Sequence, residues 1–277
     1  MGLNNPIKLI WFNSVSFLSV IVVVINLGFW MFPIFFLAAL KKILNRNNKA
    51  REVIISCIEF IYIAAAKLNS FWIKKILRIN FSVEGNMPAH SAPIVVANHQ
   101  TWFDIPVLQG LICDSGTIAK FLIKRELAWL PIVGWLCFAL GFPRLYRGKG
   151  ARSRDQDLAS IQSVSAELRE EPGALLIFAE GTRYTETKYK KQKSPYQGLL
   201  KPKIGGLEIA LKTVLPDTPV VDVTIKYLDE DTNFWRWLSG SKNDIAITIK
   251  QFRADEITNT KLWLDERWKN KEHLLSL

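Results

Sequence analysis

His99, one of three histidines in this 277-residue chain, closes a β-branched run and is followed five residues later by Asp104, in VVANHQTWFD. An imidazole exchanges protons near neutral pH. When a carboxylate holds one ring nitrogen, the other becomes a base for an incoming hydroxyl. On an unbroken helix a separation of five turns two side chains roughly 140° apart. The pair therefore meets only if the chain turns after His99 and a helix starts near Phe103 or Asp104. A plainer arrangement also fits, with Asp104 capping a helix that has Pro106 in its first turn and His99 an ordinary rim residue.

A second constellation lies in FAEGTRYTETK, where a buried run delivers Glu180, Gly181, Thr182 and Arg183. Backbone amides at a glycine turn, a hydroxyl and a guanidinium together suit a phosphate. An ordinary strand-to-loop turn with a solvated arginine fits the same letters. Arg144 and Arg147 in GFPRLYRGKG add cation, and KYKKQK (188–193) reads as a solvated basic face. The chain has no GxSxG elbow, P-loop, GxGxxG or HExxH. A base and anion binders without a covalent nucleophile or metal box fit direct attack by a substrate hydroxyl.

The elements that must position these groups follow from the apolar pattern. PIVVA (93–97), ALLIFA (174–179) and PVVDVTIKY (219–227) read as buried strands, and DIAITIKQF (244–252) alternates as an edge or half-exposed strand. Helical segments at 157–171 and 205–215 end at Pro172-Gly173 and Pro216. This alternation predicts an α/β domain with a mixed, largely parallel sheet flanked by helices. Ligands in such sheets bind beyond the carboxyl ends of the strands. If the first two buried strands run parallel, His99 and Glu180–Arg183 emerge at one rim.

The N-terminal part is different. Leu9 to Leu40 carries no charge and no histidine, which exceeds the ~20 residues needed to cross a bilayer core. Lys41, Lys42, Arg46, Lys49 and Arg51 follow, a basic flank that reads as a stop signal and places the rest on the cytoplasmic side. Gly28 and Pro33 could break the run into a re-entrant or interfacial hairpin. Residues 53–73, with Glu59 and Lys67, read as an amphipathic helix on the membrane or against the first helix. The expected division is 1–75 as a helical membrane-anchoring module and 76–277 as the catalytic domain. A net charge of +11 and a mean hydropathy of +0.11 fit anionic lipid and phosphorylated ligands. No nucleic-acid signature accompanies the charge. Three cysteines without a CxxC pair suit a reducing compartment.

Taken together, these residues resemble the glycerolipid acyltransferase family, the 1-acylglycerol-3-phosphate O-acyltransferases and their relatives. NHxxxxD reads here as Asn98 to Asp104, a short run ending in arginine as PRLYR with Arg147, FPEGTR as FAEGTR, and an apolar strand as TPVVDVT. KRELAWLPIVGW (124–135) is similar to the family's intermotif segment. Ala179, Tyr184 and Asp222 depart from the common pattern and resemble instead the branch of lysocardiolipin acyltransferases.

The resemblance implies roles. His99 would deprotonate the hydroxyl of a lysophospholipid, most simply lysophosphatidic acid, and Asp104 would orient the imidazole. Arg147, Glu180, Gly181, Thr182 and Arg183, with Lys124 as helper, would hold the acceptor phosphate. The donor would be acyl-CoA or acyl-acyl carrier protein, with no further cofactor and no metal. The expected partners are the lysophospholipid, the acyl carrier and membrane lipid, with no nucleic acid. The expected location is a membrane, in a bacterium the inner membrane, with the catalytic domain on the cytoplasmic side. Rival assignments are a catalytically silent membrane-binding protein and a lipid hydrolase that activates water.

Overall fold

A computed structural model describes residues 6–44, 47–90, 92–121, 123–124, 133–142, 144–145, 151–167, 173–229 and 232–276. Its centre is a six-stranded sheet built from β1 (Asn80–Glu84), β2 (Ile94–Ala97), β3 (Ala119–Phe121), β6 (Ala174–Phe178), β7 (Pro219–Tyr227) and β8 (Asp244–Arg253). The order is β1-β8-β7-β2-β6-β3. The β7, β2, β6 and β3 strands run parallel, whereas β8 is antiparallel to β7 and carries β1 parallel to itself. A separate two-stranded ribbon pairs β4 (Ile123–Lys124) with β5 (Arg144–Leu145).

The burial patterns explain this order. All four residues of β2 are buried, which a central parallel strand covered on both faces demands. In β8 buried and half-buried residues alternate over its first six positions, the period-two signature anticipated for this segment. The β8 strand is second from the edge; β1 covers its outer side.

Helices cover both faces. One face packs Val95, Ala97, Leu176, Val221 and Val223 under α3 (Asp104–Asp114), a π-helical turn at Trp72–Ile76 and α8 (Phe234–Leu238). The other packs Ile94, Val96, Leu175, Ile177 and Val220 under α5 (Ala151–Glu167), α7 (Ile204–Thr213) and α9 (Thr260–Ser276). Two shorter helices, α4 (Val133–Ala139) and α6 (Glu186–Gln192), lie in the connections. Burying each valine, leucine or isoleucine among them contributes about 1.5–3 kcal/mol, so the two layers fix the sheet on which the site is built.

The N-terminal run forms α1 (Pro6–Ile43), unbroken through Gly28 and Pro33, and α2 (Asn48–Phe71) folds back along it. The break that Gly28 and Pro33 could have made is absent. The reversal comes after α1, where Asn47 caps α2 through the Ala50 amide. Asn26 ties the helices together by donating to the Ala65 carbonyl at 2.9 Å and to Asn69 Oδ1 at 2.8 Å. Neither helix stands apart from the sheet domain. Ser16 and Ser19 donate to the carbonyls of Trp235 and Leu238 at α8, at 2.7 and 2.8 Å. Further along α1, Ile34 packs with Ile118, Leu136 and Cys137. Gly110 of α3 lets α2 approach, because a Cβ there would stand 2.5 Å from Ser70 Oγ.

Both helices are long and apolar enough to cross a membrane. A row of side chains on α1 is left uncovered by the protein, with Phe29, Phe32 and Phe36 at 65, 72 and 69 % exposure. An apolar strip this continuous marks an interaction surface rather than scattered surface residues.

Candidate active site

The parallel pairing of β2 with β6 sets Ala97 beside Phe178, so the residues two beyond, His99 and Glu180, leave the sheet side by side. The His99 amide donates to Glu180 Oε1 at 3.3 Å. Asn98 fixes the exit on the other side. Its side chain donates to the Ile225 carbonyl and accepts from the Ile225 amide, both at 2.9 Å, clamping the end of β2 to β7.

After His99 the chain reverses and α3 starts at Asp104, as the spacing required. His99 Nδ1 lies 2.8 Å from Asp104 Oδ2. The same oxygen accepts from the amides of Gln100 at 2.7 Å and Thr101 at 3.0 Å, so the carboxylate ties the loop ahead of the helix. This outcome also answers the plainer arrangement: the N-cap position belongs to Phe103, which makes no side-chain cap, and Asp104 is the first helical residue. A carboxylate accepts only, so Nδ1 carries the proton and Nε2 is left as the basic nitrogen. The ring stacks on Phe178 with centroids 3.9 Å apart and planes 16° apart. Asp104 is fully buried, whereas His99 keeps 8 % of its surface.

Glu180 is fully buried, with Oε2 accepting from the Leu200 amide at 3.2 Å in addition to the bond from His99. Burial pushes its carboxyl from the ordinary 4.5 up to about 8, with the two amides pulling the other way. This side chain, expected among the phosphate ligands, therefore serves as a post between the two strand ends. The Gly181 amide is likewise committed, donating to the Phe178 carbonyl at 2.8 Å. Gly181 has φ +69°, and a Cβ there would meet the Lys203 side chain at 3.0 Å, so the turn requires glycine.

Thr182 and Arg183 are half-buried in the turn. Thr182 Oγ1 accepts from Lys188 Nζ at 2.8 Å, and the same ammonium reaches the Arg183 carbonyl at 2.9 Å. Lys188 opens the basic run that reads as a solvated face, and the helical start at Glu186 folds it back onto the site. Nothing in the run's composition distinguished it. The Arg183 guanidinium lies 4.4 Å from the Trp102 ring, and burial lowers its pKa from the ordinary value while the Asp104 charge opposes that shift. Arg147 lies outside the described residues. Lys124 is in β4, and its side chain also lies outside them.

Beyond these, Tyr227 at the end of β7 donates its hydroxyl to Asp104 Oδ1 at 2.5 Å. It continues the buried face of Val221, Val223 and Ile225. That period-two register was its only signal, because nothing in the strand marked a hydroxyl as aimed at Asp104.

The fold and site define a class of α/β protein that presents a histidine–carboxylate pair and a cationic turn at the carboxyl rim of a parallel sheet. The family model described as Acyltransferase matches residues 78–226, and the chain belongs to that family. Among its relatives, a probable 1-acyl-sn-glycerol-3-phosphate acyltransferase 5 from Arabidopsis thaliana is 26 % identical over 79 % of this chain and 62 % of its own length. A 1-acyl-sn-glycerol-3-phosphate acyltransferase from Cocos nucifera is 29 % identical over 67 % of this chain and 52 % of its own. The delta form from Mus musculus is 28 % identical over 65 and 51 %. The chain thus spans half to just under two-thirds of the length of these curated relatives. The crystal structure of the 1-acyl-sn-glycerophosphate acyltransferase PlsC from Thermotoga maritima shares the fold, with a TM-score of 0.62 over 97 % of this chain and 95 % of that one, at 22 % identity.

Proposed function

We propose that the protein is a membrane-attached acyltransferase that moves a fatty acyl group from an acyl thioester to the free hydroxyl of lysophosphatidic acid, giving phosphatidic acid. The observation that carries this reading is the 2.8 Å bond between His99 Nδ1 and Asp104, set at the strand ends of a chain in the Acyltransferase family. His99 Nε2 takes the hydroxyl proton as the oxygen attacks the thioester carbonyl carbon. The tetrahedral adduct collapses, the carbon–sulfur bond breaks, and the imidazolium returns its proton to the leaving thiolate. General-base catalysis supplies about 10²–10⁴-fold, and alignment of the two lipids supplies much of the rest.

Arg183 and Lys188 are the cations set to receive the acceptor's phosphate beside Thr182. Arg147 and Lys124 join them on the strength of the family motifs. Glu180 and Gly181 shape the turn and do not touch the phosphate. The donor is acyl-CoA or acyl-acyl carrier protein, and the reaction as proposed uses no other cofactor and no metal.

For membrane attachment, α1 is held to the sheet domain near Ser16 and again around Ile34 while its phenylalanine row stays uncovered. A helix tied to one side of the domain at both places fits lying within one leaflet better than crossing the bilayer. Lys41 and Lys42 in its last turn suit the anionic lipid of the cytoplasmic leaflet, of the inner membrane in a bacterium.

Lysocardiolipin is the second acceptor to test, because Tyr184 departs from the common motif and its amide donates to the His99 carbonyl at 2.7 Å, which sets residue 184 next to His99 along the backbone. The test is a donor and acceptor panel with product analysis, using membranes that contain the full chain. Label appearing in phosphatidic acid only when lysophosphatidic acid is added supports the reading. Release of free fatty acid without an acceptor would make the protein a hydrolase. Acylation of lysocardiolipin alone would transfer the same chemistry to that acceptor.

A further inference from the structure

We propose that Tyr227 is a third, positioning member of the His99–Asp104 site, whose hydroxyl sets how strongly the Asp104 carboxylate acts on the imidazole. This rests on the reading of His99 as the base.

The carboxylate divides its acceptor sites unequally. Oδ2 faces the loop and takes His99 Nδ1 and the amides of Gln100 and Thr101. Oδ1 points toward the sheet and takes the Tyr227 hydroxyl at 2.5 Å, a length typical of a donor bound to a full negative charge. The phenol is itself held. Trp237 of α8 packs edge-on against its ring with centroids 4.7 Å apart, and Phe103 stacks on the other part of Trp237 at 5.8 Å. Tyr227 is 6 % exposed and Trp237 fully buried, so water cannot replace the hydroxyl without rearrangement. Burial and the Asp104 charge both push the Tyr227 pKa well above its ordinary value, so the phenol stays a donor throughout the working range.

The consequence is electrostatic. A hydrogen bond to Oδ1 withdraws charge from the carboxylate and weakens its stabilisation of the imidazolium. Without that bond Oδ2 is still gripped by two amides, so the ring keeps its clamp and feels a fuller negative charge. Among the described residues, the other ionisable groups coupled to the pair are Arg183 from the turn after β6, whose charge Asp104 feels, and Glu180, with the buried Lys271 of α9 behind it. None of them is altered by a change at residue 227.

The experiment is a ¹⁵N-histidine titration of the full chain in detergent micelles, with the His99 signal assigned by its loss in His99→Gln. In Tyr227→Phe the His99 midpoint should move up by about half a unit to one unit, while His90 and His273 stay in place. In the acyl-transfer assay the same variant should move the acidic limb of kcat/KM in the same direction, with kcat above that limb not reduced and KM within about twofold. With 3-fluorotyrosine at position 227, a stronger donor of nearly the same shape, the midpoint should move down. This second variant keeps the hydrogen bond and serves if the phenylalanine variant fails to fold. Trp237→Phe loosens the packing around the same ring but keeps the hydroxyl, so it should lower Tm and leave the midpoint unchanged. An unmoved His99 midpoint in both Tyr227 variants, or an equal shift in Trp237→Phe, would overturn the proposal. The titration needs no substrate, so a wild type without acyl-transfer activity would count against the function and leave the Tyr227 result standing.

Discussion

Asp104 and Glu180 follow the ends of neighbouring parallel strands, and both side chains are fully buried, yet they are solvated by the protein in different ways. Asp104 receives four donors, from His99, Gln100, Thr101 and Tyr227. Glu180 receives two backbone amides, and burial outweighs them, pushing its carboxyl up to about 8. The first environment is built to hold a charge beside an imidazole; the second favours a neutral acid that braces two loops. A neutral Glu180 also adds no negative charge of its own to the adjoining turn where a phosphate would come to rest. The number and type of donors assign roles to the two carboxyl groups, where exposure alone would treat them alike.

The contrast is broken most severely by removing the charge from Asp104. Asp104→Asn should lower kcat by about 10²–10⁴-fold with a small change in KM, because the amide cannot stabilise the imidazolium. Steady-state rates on protein matched for folding by circular dichroism check this.

Next in size is a buried pair that shares the second environment. Lys271 of α9 donates to the Val223 carbonyl at 2.6 Å and to Thr224 Oγ1, and its ammonium stands 2.5 Å from Asp222 Oδ1. No well-aligned hydrogen bond satisfies that Asp222 oxygen, so charge alone holds it. Lys271→Met should cost about 3–5 kcal/mol by leaving Asp222 uncompensated, and the double variant with Asp222→Asn should recover part of the loss in chemical denaturation.

Glu180→Gln should cost less, about 1–3 kcal/mol, since one of its two backbone amides would then face an amide nitrogen. Its activity loss should be far smaller than that of Asp104→Asn; an equal loss would erase the distinction between the two carboxyl groups. The pH dependence sharpens the same point. With its pKa raised from 4.5 to about 8, Glu180 makes the folded chain bind a proton that the unfolded chain has released. Its stabilising contribution is complete below the unfolded value and is lost as pH rises through about 8. Melting temperatures should therefore fall more steeply in the wild type than in Glu180→Gln between about pH 6 and about pH 8.

The smallest effect belongs to the rim. Trp102→Leu removes the face beneath Arg183, worth about 0.5–1 kcal/mol at such a site, and should raise KM for the phosphorylated acceptor about two- to fivefold with kcat unchanged.

Much of this arrangement was legible in the sequence where pattern and chemistry coincide. The buried runs at 93–97, 174–179 and 219–227 became β2, β6 and β7, and the parallel order that would bring His99 beside Glu180 is the order observed. Other elements were hidden for physical reasons. The α9 helix buries Leu264, Arg267, Trp268 and Lys271, so two cations interrupt the apolar stripe by which an amphipathic helix is recognised. The β3 strand has three residues, too few for alternation to register. The role of Glu180 was hidden for another reason: the turn's composition suits a phosphate, but the fold commits the side chain to backbone amides. Composition names donors and acceptors without saying which of them the backbone will consume.

The central claim is that His99, held by Asp104, is the base for acyl transfer to a lysophospholipid hydroxyl. Its most direct measurement is the initial rate of labelled phosphatidic acid formation from oleoyl-CoA and lysophosphatidic acid by membranes containing equal amounts of wild type, His99→Ala or Glu180→Gln. The account predicts rapid product from the wild type, a loss of about 10²–10⁴-fold in His99→Ala, and substantial activity in Glu180→Gln. A folded His99→Ala protein that forms phosphatidic acid at the wild-type rate would contradict it.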